Sequence, residues 1–128
     1  MSLPAPSECP AIRVMMFPRH TNANGTIFGG VILSYIDQAG FVEATRHGSH
    51  KWVTVALDRV EFKQPVFVGD VVNFYAITVR AGTSSVTVKV EVEAERAGSG
   101  THVPVTEASI VLVSVGPDGK PIPFANKA

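Results

Sequence analysis

The chain has 128 residues, 45% hydrophobic and 17% charged: enough for one domain with a proper core, and too few for two. Lysine plus arginine and aspartate plus glutamate each number 11, which excludes an electrostatic footprint for nucleic acid or for an anionic membrane surface. The single cysteine, Cys9, excludes an internal disulfide and fits a reducing compartment. The first residues lack the basic start and apolar run of a secretory signal. The apolar run after Thr26 is broken by Asp37, well short of the ~20 residues that span a bilayer. The expectation is a cytoplasmic protein with neither nucleic acid nor membrane as a partner.

In chain order, residues 1–11 hold three prolines and few large apolar groups, and are expected to form a flexible arm. Residues 12–128 form the single domain. Residues 12–17 predict a short strand, ended by Pro18. A polar loop with Asn22, Asn24 and Gly25 follows. A helix is expected over residues 29–47, opened by Gly29 and Gly30 and stopped by Gly48. It is apolar on both sides and so expected to be buried on both sides. Everything beyond reads as strand: residues 51–62, 71–80, 84–96 and 102–115, with turns at 66–70 and 98–100. The third of these alternates most clearly, with Val86, Val88, Val90, Val92 and Ala94 on one face and Thr87, Lys89, Glu91, Glu93 and Glu95 on the other. The class is therefore α+β: one long central helix wrapped by a curved antiparallel sheet of about five strands. The open sheet edges and exposed helix face predict at least a homodimer.

One acid draws attention. From residue 20 to residue 42, Asp37 is the only formally charged side chain if histidine is neutral. A buried carboxylate with no local counter-charge is costly, which makes it a candidate general base or nucleophile; the bland alternative is an acid hydrogen-bonded to Ser34 or to a partner chain. Asn22 and Asn24 carry amides able to orient water or a carbonyl, although asparagine is common in turns for its own local bonds. Gly29 and Gly30 offer backbone N–H groups at a helix start, suited to a developing oxyanion. Gly82, Thr83, Ser84 and Ser85 suffice as a hairpin turn. His20, His47, His50 and His102 show no His-x3-His pair and no cysteine partner, so no metal is expected. No nucleophile elbow or glycine-rich phosphate loop is present.

These residues fall into ordered motifs. N-A-N-G-T-I-F-G-G-x-x-x-S-x-x-D is followed by V-T-V-A, by F-x-x-P-V-x-V-G-D-V-V, and by G-T-S-S-V-T-V. Together they resemble the hot-dog-fold acyl-CoA thioesterases, within them the YciA-type and cytosolic acyl-CoA hydrolase branch, over nearly the whole chain. The resemblance implies a helix "sausage" in a sheet "bun", dimers with a continuous sheet, and hexamers built as trimers of dimers. It implies hydrolysis of acyl-CoA to a free carboxylic acid and CoA, with no cofactor beyond the coenzyme A of substrate and product. It places the catalytic acid at Asp37, the catalytic asparagine at Asn22 acting beside Asp37 of the other subunit, and Asn24 and Gly30 near them. It places substrate contacts at Phe28, Gly29 and residues 82–85, where Ser84 stands in a slot the family fills with threonine. Arg59, Lys63 and Arg80 are candidates for CoA phosphates; Val66 and Val68 are expected to pack and Gly69 to turn. Phe28, Tyr35, Phe41 and Trp52 are candidates to line an acyl tunnel. Two alternatives share the fold. A hydroxyacyl dehydratase wants a histidine near Phe28, and His20 lies before that position. A non-catalytic acyl-CoA sensor needs neither Asn22 nor Asp37.

Overall fold

Small and aliphatic residues at helical spacing let one helix lie flat on a sheet. In the structure, a computed structural model that describes residues 9–124, helix α1 runs Gly29–Ala44 and buries Ile32, Ile36, Ala39, Gly40 and Ala44. Gly40 is required by the closeness of this contact, because a Cβ there would stand 2.8 Å from Ile110 Cγ2. Gly40→Val should therefore overpack the helix–sheet seam and cost about 1–3 kcal/mol, read by urea unfolding at fixed protein concentration. The last expected helical turn tightens to a 3-10 turn over Thr45–His47, and Gly48 at φ 134° ends it. The other side of the helix differs from expectation. Ser34, Asp37, Gln38, Phe41 and Val42 are exposed, so one chain buries a single stripe of α1.

Five strands follow the expected positions: β1 Ile12–Met15, β2 Lys51–Asp58, β3 Val71–Ala81, β4 Ser85–Glu95 and β5 His102–Val115. They form one antiparallel sheet in the order β1-β3-β4-β5-β2, curled round α1. The alternation in β4 holds: Val86, Val88, Val90 and Ala94 are fully buried, and Val92 nearly so. Together with Ile110, Leu112, Phe74, Val72 and the helix stripe they form the core. Bulges supply curvature. One follows Thr54 in β2, one follows Thr78 in β3, and one in β5 lies beside Pro104, which has no ladder N–H to give.

Strand β2 stops at Asp58, short of residue 62, because Arg59 adopts a left-handed backbone at φ 61°. The loop from residue 59 to 70 is tied to its surroundings. Lys63 N–H donates to Val105 O at 2.7 Å, Ile27 N–H to Val66 O at 2.8 Å, and Gly69 N–H to Met16 O at 2.9 Å. Gly69 turns at φ 89° and Val66 is buried as expected, whereas Val68 is 42% exposed and does not pack. Of the expected arm, residues 1–8 lie outside the described residues; Ala11 at its end already donates its N–H to Phe74 O at 2.8 Å. Among the described residues no helix is long and apolar enough to cross a membrane.

Candidate functional site

The helix start breaks a local rule. Phe28 occupies the N-cap position, where Ser, Thr, Asp or Asn would normally accept a hydrogen bond from the first helical N–H groups. Phenylalanine has no acceptor, and no acceptor among the described residues takes the Gly29 or Gly30 N–H. Two donors are thus left at the positive end of the helix dipole, suited to an anion or a polarised carbonyl oxygen. Violations of this kind concentrate at functional sites. The ring of Phe28, 57% exposed, lies over Gly30, where an added Cβ would stand 2.7 Å from its Cε2.

The loop before the helix is shaped by Asn22. Its Oδ1 accepts from Asn24 N–H at 2.8 Å and Thr26 N–H at 3.2 Å, and its Nδ2 donates to Thr26 Oγ1 at 2.9 Å. Its backbone N–H donates to Thr26 O at 2.8 Å. Asn22 thus closes the loop in the manner common to turn asparagines, with one amide hydrogen to spare. Asn24 is exposed at the rim, and no hydrogen bond takes up its side-chain amide among the described residues.

Asp37 lies on the open flank of α1, exposed in the single chain rather than buried. Ser34 does not hold it; that hydroxyl accepts from Gln38 Nε2 at 3.2 Å. Its partner is one the sequence reading missed: Thr54 Oγ1 donates to Asp37 Oδ1 at 2.5 Å. Thr54 follows buried Trp52 by two residues, which puts it on the helix-facing side of β2, immediately before the bulge. The threonine of V-T-V-A was visible as a motif, but its pairing with a residue 17 positions earlier is a tertiary fact. The other carboxylate oxygen is open among the described residues. Around Asp37 the surface is apolar and exposed: Phe41 and Val42 on α1, and Val55 and Leu57 on the edge strand β2.

Within one chain the site residues are not gathered. No hydrogen bond joins Asn22 to Asp37 among the described residues. Gly82, Thr83, Ser84 and Ser85 form the β3–β4 turn, where Gly82 N–H donates to Ser85 O at 2.7 Å. The C-terminal tail and the end of β5 brace this turn: Phe124 N–H donates to Thr83 O at 3.1 Å, and Ser114 N–H to Ser84 O at 2.8 Å. Phe124 itself packs on Trp52 with ring centres 5.2 Å apart. Trp52 is therefore core rather than tunnel lining, and Tyr35 packs on Phe74 at 5.5 Å. Arg59, Lys63 and Arg80 are all exposed.

One further group brings metal-ligand types together on the outer face of the sheet. Ligand atoms of Glu93, Glu95 and His102 lie within 4.8 Å of one another. Protein donors already take them. Arg13 pairs with Glu95, and Asn73 Nδ2 donates to Glu93 Oε2 at 3.1 Å and Glu95 Oε2 at 2.7 Å. Tyr75 donates to Glu93 Oε2 at 2.8 Å, with His102 Nδ1 3.1 Å from the same oxygen. The Arg13 and Asn73 hydrogen bonds hold the Glu95 carboxyl down at about 2, and burial together with the Glu93 carboxylate pushes the Tyr75 phenol up. This is a self-satisfied polar network, with Arg13 supplying the positive charge an ion would bring.

Residues 24–101 match the family described as the Thioesterase superfamily. The chain is 41% identical over 116 residues to the acyl-CoA thioester hydrolase YciA of Salmonella typhimurium, covering 88% of this chain and 87% of that protein. It is similar in structure to a hexameric hotdog fold thioesterase of Campylobacter jejuni, with a TM-score of 0.84 and 42% identity over 89% of this chain and 88% of that one. A hexameric thioesterase of Yersinia pestis superposes with a TM-score of 0.88 and 37% identity, covering 96% of this chain and 100% of the other.

Proposed function

The chain belongs to the thioesterase superfamily, and on that footing we propose that it is an acyl-CoA thioester hydrolase in which two copies of the chain share each active site. The separation along α1 carries this reading. Gly29 and Gly30 precede Asp37 by eight and seven residues, which at 1.5 Å per residue puts roughly 10–12 Å between them. A carboxylate that activates water must lie one water from the carbonyl carbon. Asp37 cannot do this for a carbonyl bound at the N–H groups of its own helix. One chain holds two half-sites: oxyanion donors with Asn22, and a carboxylate with Thr54. The exposed apolar flank beside Asp37, with Phe41 and Val42 on α1 and Val55 and Leu57 on the open sheet edge, supports closure by a second copy. The relatives described above as hexameric support a homodimer at minimum and a hexamer built as a trimer of dimers.

The chemistry then runs across the two chains. The Asp37 carboxylate, its Oδ1 held by Thr54, takes a proton from water with its free oxygen. The water oxygen bonds to the thioester carbonyl carbon, and the charge on the carbonyl oxygen is met by the Gly29 and Gly30 N–H groups of the other copy. The intermediate collapses, the carbon–sulfur bond breaks, and CoA leaves with the proton returned by Asp37. The spare amide hydrogen of Asn22 orients the water or the carbonyl, and Asn24 offers a second amide at the same rim. The turn at residues 82–85, exposed at Gly82 and Thr83, takes the CoA arm. Coenzyme A is part of substrate and product, the steps call for no metal or other cofactor, and the cytoplasm is the compartment that fits.

Thiol trapping of released CoA over a panel of acyl-CoA chain lengths tests the activity; no release from any member would sink it. Thr54 supplies a sharper check on the site. A hydrogen bond to a charged group is worth about 1.5–3 kcal/mol, so Thr54→Val should lower kcat/KM by about 10- to 100-fold. Thr54→Ser, which keeps the hydroxyl, should restore most of it. Equal losses in both variants would assign Thr54 to packing instead.

A further inference from the structure

Phe62 leaves 47% of its surface exposed on a backbone fastened at both neighbours. Glu61 O accepts from Thr106 Oγ1 at 2.7 Å, and Lys63 N–H donates to Val105 O at 2.7 Å. The ring lies against the helix start, where a Cβ added to Gly29 would stand 3.4 Å from Phe62 Cε2. Phe28 covers Gly30 in the same way and even more closely. Successive positions on an α-helix are about 100° apart round its axis. The two rings are therefore adjoining walls, a little over a quarter-turn apart, round the mouth where the free Gly29 and Gly30 N–H groups point. Two large exposed rings side by side at one mouth form an apolar patch, the kind of surface that something covers.

We propose that Phe62, with Phe28, forms the wall against which the acyl arm of the substrate lies, and that Phe62 sets how much branching is tolerated at the carbon next to the carbonyl. This rests on the reading of the helix start as the oxyanion site. A carbonyl oxygen on those N–H groups puts the carbonyl carbon and its two arms at the mouth. The pantetheine arm carries polar amides, whereas the acyl arm is hydrocarbon. Two ring faces without a polar atom suit the hydrocarbon arm. The carbon next to the carbonyl then lies level with the rings, where a second methyl meets the edge of Phe62, while lengthening the chain carries it past the rings.

The test compares butyryl-CoA with isobutyryl-CoA, isomers of equal carbon number of which only the second is branched at that carbon. The wild-type protein should favour the straight chain by about 10-fold or more in kcat/KM, within the range that one badly placed methyl group commands. Phe62→Ala should bring the ratio to within about 3-fold of unity, chiefly by raising turnover of the branched substrate, with Phe62→Leu in between. A ratio unchanged by Phe62→Ala, or a wild-type ratio already near one, overturns the proposal. Where Phe62→Ala fails to fold by circular dichroism, the Phe62→Leu ratio decides: a fall supports the wall and no change removes it. Failure of the underlying reading looks different. In that case Asp37→Asn retains turnover, or the wild-type protein releases CoA from neither substrate.

Discussion

Asp37→Asn should lower kcat for acyl-CoA hydrolysis by about 10²–10⁴-fold, the usual contribution of a positioned general base, and leave the assembly and its melting behaviour close to wild type. The second half of this expectation follows from burial. Asp37 is exposed in the single chain, and among the described residues Thr54 is the one hydrogen-bond partner of its side chain. Asparagine keeps the shape and can still accept from Thr54 Oγ1, so the fold loses little. What is lost is the only charge between residues 20 and 42, and with it the ability to take a proton from water. In the proposed mechanism the carboxylate acts on the water rather than on the bound CoA, so KM should change far less than kcat.

A mixing experiment separates the shared site from a self-contained one. Asp37→Asn has intact oxyanion donors, and an Asn22→Ala chain has an intact carboxylate. If each site takes one half from each of two chains, co-assembled variants should recover activity in a fraction of their sites, while each variant alone stays inactive. No recovery from a demonstrated mixed assembly would contradict the split. Single turnover in heavy-oxygen water addresses the step itself: direct attack by water labels the released acid, whereas an anhydride formed on Asp37 puts label into the protein.

How much of this was legible before folding depends on range. The alternation in β4 is a local pattern, and it came through as a buried face. The early end of β2 was not visible, because the left-handed backbone at Arg59 belongs to no residue type expected there. The helix was read as buried all round since both sides are apolar. One chain covers only one of them, and the surplus apolar surface fits the proposed second copy rather than a deeper core. Gly40 is small for a tertiary reason as well: it makes room for Ile110, which no local pattern announces. Thr54 and Phe62 escaped for one reason: each acts through a neighbour far off in sequence, Asp37 for the first and Gly29 for the second.

Asp70→Ala should cost about 3–5 kcal/mol of stability, the range for leaving one member of a buried ion pair without its partner. Asp70 is 2% exposed, and Oδ2 accepts from Arg96 at 2.7 Å and from Phe67 N–H at 3.0 Å. Oδ1 accepts from Ala97 N–H at 3.2 Å. Alanine strands two backbone donors and a guanidinium that is itself largely buried, with a side-chain exposure of 19%. Arg96 keeps only Pro65 O at 2.8 Å and the face of Phe67, 4.8 Å away. Asp70→Asn should be milder, since it keeps one acceptor. Pairing Asp70→Ala with Arg96→Met should cost less than the sum of the single changes, because the stranded charge disappears together with its partner. Urea unfolding at one protein concentration reads the wild type and the four variants on a common scale, a precaution required when assembly contributes to stability. The pair also anchors the loop that carries Phe62 and hydrogen-bonds Ile27 just ahead of the helix start. Loss of activity in Asp70→Ala under conditions where it remains folded would therefore show this clasp holding the oxyanion end of the site in place. Full activity at wild-type stability would mean that the ion pair is only ornamental to the loop.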